Sequence, residues 1–238
     1  MDRELIDLLA EGAGKFGVSL DGPRISALIK YKDMLLEWNE KINLTAITEE
    51  RDFIIRHFID SLSIAPYLEN AGSIIDVGTG AGFPGIPLKI ARPAPEVVLL
   101  DSLEKRVAFL NCAIEALKLT GVSAVHLRVE DAGRSSQYRE KFDAAVARAV
   151  ASLPVLLEYC LPLVRTGGVF IAMKGSAAEE IEYSRKALET LGGKIENIHE
   201  IILPGSDIKR NIIIVKKLRQ ISTKYPRKAG KPTKEPLI

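Results

Sequence analysis

The residues best suited to chemistry form a glycine-rich loop at positions 78–85, directly after a short apolar run. Glycines permit a tight turn there and let a ligand approach the backbone, while the helix that follows offers N–H groups at its start. Pro84 suits the first position of that helix, because its missing N–H donor is not needed there. The loop therefore predicts a site for a nucleotide-type cofactor at the end of a strand.

The glycine spacing alone leaves two cofactors open. Gly78, Gly80 and Gly82 alternate, but Gly80, Gly82 and Gly85 also satisfy the dinucleotide fingerprint. The next predicted strand ends at Asp101, where either a nicotinamide dinucleotide or S-adenosylmethionine would place its ribose. The acidic side chain is compatible with both cofactors and does not decide between them.

Asp101 also has a second interpretation, as a cap for a helix that begins near Leu103, and the two roles are compatible. The Asp76-Val77-Gly78 start of the loop favours S-adenosylmethionine, as does a pair of antiparallel strands predicted late in the chain. Asp76 and Asp101 bracket the loop, so one of the two carboxylates is expected to face the positively charged amino-acid end of that cofactor.

Short β-rich runs alternate with helical stretches from Ser73 onward, which is typical of a parallel sheet with helices on both faces. The last two runs have a short connection and are expected to pair antiparallel at the sheet edge. The predicted fold class is α/β, a Rossmann-like, mostly parallel twisted sheet with an antiparallel edge strand. The predicted strands span residues 74–77, 97–100, 124–129, 142–147, 169–173, 195–203 and 211–215.

Three regions of different character divide the chain. Residues 1–70 show apolar residues at helical spacing, with a helix start at Asp21-Gly22-Pro23, and are predicted to form a helical N-terminal cap. Residues 71–219 contain the loop and the strands and are predicted to form the cofactor-binding domain. Residues 220–238 combine prolines with basic residues and few apolar ones, which predicts an extended basic arm outside the fold.

The composition excludes several classes of protein. A hydrophobic fraction of 47% is ordinary for a globular chain, and a formal net charge of +2 is too small to indicate nucleic acid by itself. Cys112 and Cys160 have no zinc-type spacing to any histidine, so no metal is expected. The N-terminus lacks the features of a signal peptide, and no segment reaches the roughly 20 apolar residues that span a bilayer. We therefore expect a cytoplasmic protein without a membrane partner.

Several segments carry distinctive local sequence: WNEKINLT at 38–45, RHFIDSL at 56–62, GTGAGFPGIP at 78–87, LDS at 100–102 followed by Lys105 and Arg106, RAVA at 148–151 and YPRKAGKP at 225–232. Together they resemble one family nearly end to end, the 16S ribosomal RNA guanine-N7 methyltransferases, also called glucose-inhibited division protein B. A glycine-rich loop alone is a weak signal, whereas these spacings with the Tyr-Pro-Arg-Lys tail are much more specific.

The resemblance implies a class I methyltransferase fold, S-adenosylmethionine as donor with S-adenosylhomocysteine as product, and methylation of N7 of a guanine in 16S ribosomal RNA. It also implies cofactor contacts at Gly78, Phe83, Val129, Glu130 and Arg148. Val129 is commonly alanine at that position of the family, which should matter little for a backbone contact. The loop and ribose arguments add Gly80 and Asp101 to the expected cofactor-binding residues.

Guanine N7 presents a lone pair, so methyl transfer to it needs no general base, and alignment of the reacting groups can contribute roughly 7–11 kcal/mol. A cytosine-C5 mechanism would need a cysteine nucleophile in a loop, but Cys112 and Cys160 fall in predicted helices. Arg148 follows the fourth predicted strand and is the expected catalytic residue. It would orient the cofactor or hold guanine O6 or a phosphate, leaving N7 free.

Basic and aromatic residues near strand ends and in the tail are the expected RNA contacts. The tail is expected to follow phosphates without contributing to cofactor binding. The expected partner is 16S ribosomal RNA or the small ribosomal subunit, bound by a monomer. The expected RNA-binding residues are Arg56, His57, Lys105, Arg106, Lys174, Arg210, Tyr225, Arg227 and Lys228.

Two other functions remain open from the residues. The first is a nicotinamide-dependent oxidoreductase, because the loop also fits that cofactor. The second is an RNA-binding protein that has a cofactor-like fold and no turnover. Binding of S-adenosylmethionine against NAD would test the first, and methyl transfer to ribosomal RNA would test the second.

Overall fold

A seven-stranded sheet forms the centre of the protein, of which the computed structural model describes residues 2–238. Its strands are β1 Ser73–Val77, β2 Glu96–Asp101, β3 Val122–His126, β4 Phe142–Arg148, β5 Val164–Lys174, β6 Gly193–Ile202 and β7 Lys209–Lys217. They lie in the order β3-β2-β1-β4-β5-β7-β6, with β7 antiparallel to both of its neighbours and the other pairs parallel. The predicted fold class is confirmed.

Helices cover both faces of the sheet. They are α1 Arg3–Gly14, α2 Gly22–Ile42, α3 Glu50–Phe53, α4 Asp60–Leu62, α5 Gly85–Ala91, α6 Glu104–Ala116, α7 Val129–Ala132, α8 Leu153–Cys160, α9 Ala178–Tyr183, α10 Arg185–Leu191 and α11 Lys231–Lys234. A π-helical segment, Ile54–Ile59, joins α3 to α4, and a 3-10 turn covers Ala65–Leu68. Within residues 2–238, no helix is long and apolar enough to cross a membrane.

Side chains alternate between the two faces of the sheet, as strand geometry requires. On β4, Ala144 and Val146 join one hydrophobic cluster, whereas Ala145 and Ala147 join the other. The N-terminal helices, α5 and α6 close the first cluster, and α8 and α10 close the second. Because the N-terminal helices share a core with the sheet, the region predicted as a cap packs as one layer of the same fold.

Two local predictions can be compared directly with the structure. The helix start at Asp21 is confirmed, because its carboxylate accepts the Arg24 N–H at 2.9 Å and caps α2. The third strand is shorter than predicted and ends at His126. The apolar residues Leu127 and Val129, which suggested a longer strand, line a cavity beyond the sheet instead.

The C-terminal segment, residues 220–238, is not an extended arm, so this prediction is corrected. Ile221 and Pro226 are buried, and α11 lies within the segment. Two arginines of the sheet domain hold its backbone: Arg139 donates to the Ile221 carbonyl at 2.7 Å, and Arg134 donates to the Pro226 carbonyl at 2.9 Å. These distant partners compensate for the few apolar residues of the segment.

Lys217, the last residue of β7, is a fully buried lysine. Its Nζ donates to Glu140 Oε1 at 2.6 Å and to the carbonyl oxygens of Leu161 and Val164 at 3.0 and 2.6 Å. All three ammonium donors are therefore satisfied. These contacts join the end of the antiparallel strand to the segments before β4 and β5 and to the first residue of β5.

We expect Lys217→Met to lower the free energy of unfolding by about 3 kcal/mol, because it leaves a carboxylate and two buried carbonyls without their donor. Guanidinium chloride denaturation measures the change. Lys216→Met, at the half-buried neighbour on the other face of β7, is the matched control and should cost less than about 1 kcal/mol. Equal losses for the two variants would contradict the assignment.

Candidate active site

Two buried carboxylates hold the glycine-rich loop between β1 and α5. Asp76 is fully buried, and its Oδ2 accepts the Thr79 hydroxyl at 2.6 Å and the Gly85 N–H at 2.8 Å. Asp101, at the end of β2, accepts the Gly80 N–H at 2.9 Å. The shape of the loop is therefore fixed by side chains from two adjacent strands.

Most N–H groups of the loop are used within the protein. Those of Gly78 and Thr79 donate to the Leu100 carbonyl at 2.9 and 3.1 Å, and that of Gly82 donates to the Thr79 carbonyl at 2.9 Å. Gly78 and Gly80 have φ values of +66° and +61°, which glycine adopts without strain. The expectation of N–H groups offered to a ligand at the start of the following helix is corrected, because the Gly85 N–H donates to Asp76 and the Ile86 N–H donates to the Gly82 carbonyl, both at 2.8 Å. This loop offers little to a pyrophosphate, which such loops bind through free N–H groups.

A cavity of about 250 Å³ lies between the loop and the ends of β2 and β3, and we call it the loop cavity. Four of the expected cofactor-binding residues meet in its wall: Gly78, Asp101, Val129 and Glu130. The structure does not bring the other three, Gly80, Phe83 and Arg148, into this wall. Tyr159 of α8 and two residues of the C-terminal segment, Gly230 and Thr233, complete it.

Asp101 makes the capping contact that its position allows, and its contact with the cofactor ribose stays a prediction. Its Oδ1 accepts the Leu103 N–H at 2.9 Å and so caps the turn before α6, while Oδ2 holds the loop. Arg106 Nη1 lies 3.5 Å from Oδ2. Each carboxylate oxygen can accept a further hydrogen bond, so capping leaves capacity for a hydroxyl group in the loop cavity.

A second cavity, of about 380 Å³, lies at the carboxyl ends of β4 and β5, and we call it the basic cavity. Its wall contains Asp60, but the other charged residues that line it are cationic. A positive cavity of this kind attracts phosphates and electron-rich base edges. It brings together five residues that the sequence singled out separately: Arg56, His57, Arg148, Lys174 and Arg210.

Arg148 is the centre of the hydrogen-bond network beside the basic cavity. Its Nη1 donates to Asp60 Oδ2 at 3.1 Å and to the Arg56 carbonyl at 2.9 Å, and Nη2 lies 3.2 Å from His57 Nδ1. The guanidinium carbon lies 5.0 Å from the centre of the Phe83 ring. With its side chain only 15% exposed, Arg148 does not form an ordinary surface salt bridge.

His57 is held between the loop and the N-terminal helices. Its ring stacks on Phe83 with centroids 4.3 Å apart, and Nε2 lies 2.8 Å from the Thr45 hydroxyl oxygen. Burial and the nearby charge of Arg148 lower the pKa of His57 to about 3. The ring is therefore neutral at physiological pH and adds no positive charge to the cavity. Because both ring nitrogens have protein partners, the expected contact of His57 with RNA stays a prediction.

Arg227 has a structural role that differs from the expected phosphate contact. Its Nε and Nη2 donate to the Glu158 carboxylate at 2.9 and 2.7 Å, and its backbone N–H donates to the same group at 2.7 Å. Because the Glu158 side chain is only 1% exposed, this ion pair anchors the C-terminal segment. Lys105 and Lys228 are exposed and Tyr225 is half-buried, and their RNA contacts stay predictions.

Sequence reasoning did not assign a site role to several residues of these cavities and their networks, among them Asp60, Thr45, Tyr159 and Thr233. Asp60 lies one helical turn after His57, so helical spacing alone could have placed the two side chains together. Thr45 lies in a segment that carries the family resemblance, but its contact with His57 depends on tertiary packing. Tyr159 and Thr233 gave no local signal, because their partners are distant in sequence. Within the described part of the chain, no group of metal-ligating residues is found, and Cys112 is exposed whereas Cys160 is buried.

The strand order of the sheet, with the loop cavity at the ends of its strands, is that of a class I methyltransferase fold. The structure is similar to that of Burkholderia thailandensis 1,6-didemethyltoxoflavin-N1-methyltransferase, with a TM-score of 0.54 and 13% identity over 84% of this chain and 92% of that one. It is also similar to a ribosomal protein L11 methylase from Lactobacillus delbrueckii, with a TM-score of 0.53 and 16% identity over 69% and 79%. At these identities, the likeness shows the fold alone.

The chain belongs to the rRNA small subunit methyltransferase G family, whose model, GidB, matches residues 24–213. A ribosomal RNA small subunit methyltransferase G from Acetivibrio thermocellus is 61% identical over 99% of this chain and 98% of its own length. One from Alkaliphilus oremlandii is 54% identical over 98% and 99%. The predicted family is confirmed, and with it the prediction of an rRNA methyltransferase enzyme.

Asp76 has an unusual protonation behaviour that stability measurements can detect. Burial raises its pKa to about 6, and Oδ1 has no hydrogen-bond partner among residues 2–238. Because the folded pKa lies above the unfolded one, the unfolded chain loses its proton first as the pH rises. Asp76 therefore removes stability between about pH 4 and pH 6, and the loss is complete above the folded pKa.

We expect the stability of Asp76→Asn relative to wild type to increase by about 2 kcal/mol between about pH 4.5 and pH 7.5, since the amide does not ionise. Urea denaturation at the two pH values measures the difference, and any constant offset from the amide cancels. Asp207→Asn, at an exposed position, is the matched control. A relative stability of Asp76→Asn that stays the same at both pH values would refute the assignment.

Proposed function

We propose that this protein transfers the methyl group of S-adenosylmethionine to N7 of a guanine in 16S ribosomal RNA. The main support for the proposal is that the loop cavity and the basic cavity lie next to each other in a member of this family. The loop cavity contains Val150 and the basic cavity contains Arg148 and Ala149, so the segment after β4 contributes to both. One cavity can hold a cofactor while the other holds a base.

The loop cavity fits S-adenosylmethionine better than a nicotinamide dinucleotide. Its wall contains the carboxylates of Asp101 and Glu130 and one cationic residue, Arg128, which suits a cofactor that has hydroxyl and amino donors and no phosphate. A dinucleotide would bring a pyrophosphate to a loop whose donors are already used. Asp101 would accept ribose hydroxyls, and Leu127 and Val129 offer apolar surface to the adenine. When bound, this cofactor supplies an electrophilic methyl group on a positively charged sulfur.

The basic cavity has donors suited to guanine. Three of the five N–H donors of Arg148 are used by its neighbours, which leaves donors for O6 or a phosphate. Lys174 Nζ donates to the Ala151 carbonyl and Glu180, both at 2.9 Å, which fixes its position beside the cavity. Donors directed at O6 hold the base while N7 keeps its lone pair. Catalysis then comes mainly from aligning the methyl group with N7, and no general base is required.

The proposal includes a cytoplasmic location, where the small ribosomal subunit is found, and action as a monomer. It also makes the two alternatives less suitable. The used loop donors disfavour a nicotinamide-dependent oxidoreductase, and a protein that only bound RNA would have no use for a cofactor cavity. Arg56, Lys174 and Arg210 are the RNA contacts that the proposal places nearest the base.

The direct test is mass spectrometry of RNA digests after incubation of the protein with S-adenosylmethionine. Naked 16S ribosomal RNA, a partly assembled particle and the intact small subunit are offered in parallel, because each is a candidate substrate. We expect 7-methylguanosine at one position in at least one of the three. Methylation of another base or atom, or no methylation in a protein that binds the cofactor, would overturn the proposal.

We expect Arg148→Lys to reduce kcat for methyl transfer at least about tenfold although the charge is kept. Lysine lacks the planar fork that contacts Asp60 and His57 together and lies over Phe83. Single-turnover assays at saturating cofactor and RNA, well below the unfolding temperature, measure the loss. Arg165→Lys, the same substitution in an exposed pair with Asp143, is the control and should keep full turnover. Equal rates for both variants would reject the role of Arg148.

A further inference from the structure

The C-terminal segment reaches the loop cavity from outside the sheet. The Gly230 N–H donates to Glu130 Oε1 at 3.0 Å, and the Thr233 hydroxyl lies 3.0 Å from the Tyr159 hydroxyl. Tyr159 in turn lies 3.4 Å from the same Glu130 oxygen. Glu130 is only 5% exposed, so these contacts bring the segment against a buried carboxylate in the cavity wall.

The segment is anchored too firmly to be a solvated arm. The buried pair of Arg227 with Glu158 holds it at one point, and Arg134 and Arg139 hold its backbone carbonyls at others. Gly133 lets the segment approach α7 closely, since a Cβ atom there would lie 2.8 Å from the Pro226 ring. Charged donors and close packing thus position the residues that face the cavity.

We propose that the C-terminal segment forms a wall of the cofactor site through Gly230 and Thr233, and that its docking sets the affinity for the cofactor. The inference rests on the proposed function for the identity of that cofactor. Gly230 and Thr233 lie beside Glu130, on the side of the cavity formed by the end of β3, and neither lines the basic cavity. The segment therefore acts on the nucleoside part of the cofactor and not on the base that is methylated.

This role reverses the expectation drawn from composition, that the tail binds phosphates and leaves cofactor binding unchanged. The basic side chains of the segment have different environments: Arg227 is paired with Glu158, while Lys228 is exposed. A ligand in the loop cavity contacts both the sheet domain and the docked segment. By linkage, docking strengthens ligand binding, and the ligand must strengthen docking by the same factor.

The first experiment measures binding of S-adenosylhomocysteine by isothermal titration calorimetry to full-length Thr233→Trp. Residue 233 is exposed, so the indole should leave folding intact while occupying space at the cavity. We expect the dissociation constant to rise about tenfold or more. Lys234→Trp, the same change at the adjacent exposed residue that does not line the cavity, is the control and should stay within about twofold of wild type.

A kinetic readout separates a cofactor-positioning role from a general structural one. We expect the KM for S-adenosylmethionine of Thr233→Trp to rise about tenfold, with kcat and the KM for RNA within about twofold of wild type. If the wild-type protein binds S-adenosylhomocysteine and Thr233→Trp changes neither this binding nor the KM, the inference is overturned and the proposed function stands. Failure of the wild-type protein to bind it would overturn the proposed function.

The second experiment uses linkage in the unmodified protein. Trypsin can cleave after the basic residues of the segment, and saturating S-adenosylhomocysteine should slow removal of the segment at least about fivefold. Mass spectrometry identifies products that have lost only this segment, which distinguishes local release from global unfolding. Equal rates of its removal with and without the ligand would overturn the inference.

Discussion

The carboxylate of Asp60 is the constraint on which the geometry of the basic cavity depends. Its side chain is only 2% exposed and lies between two guanidinium groups, with Arg148 and Arg210 each 3.1 Å away. The three residues come from α4, β4 and β7, which are far apart in sequence. A buried charge without a partner is costly, so Asp60 needs at least one of the two arginines, and loss of Asp60 would leave both without their carboxylate. One ion triad thereby fixes the N-terminal helices against the sheet.

Phe83 extends this constraint to the glycine-rich loop. It belongs to the loop, yet its ring contacts His57 and lies beneath the Arg148 guanidinium. The two cavities therefore share a support: the loop that borders one is packed against the side chains that border the other. This arrangement explains why a residue expected to touch the cofactor is absent from the wall of the loop cavity. Its ring supports the loop from the side of the N-terminal helices.

The sequence predicted those features that depend on local pattern. Alternating strands and helices gave the sheet and its antiparallel edge, and the position of Asp101 after an apolar run placed a carboxylate at the cavity. The predictions were wrong where the same composition fits two different structures. Leu127 and Val129 were predicted as the end of a strand because they are apolar, but residues that line a cavity are often apolar too. The tail resembles a solvated arm because its partners, among them Arg139 and Glu158, lie far away in sequence.

The position of the C-terminal segment determines when the loop cavity can close during synthesis of the chain. Gly230 and Thr233 follow all seven strands along the chain, so they are made after the other walls of the cavity that they border. The sheet can begin to form as its strands emerge, but this wall cannot close until residues 230–233 have been made. A chain truncated by a late stop codon would therefore retain all seven strands and still possess an open cavity. The pocket is therefore completed later in synthesis than the sheet that forms most of it.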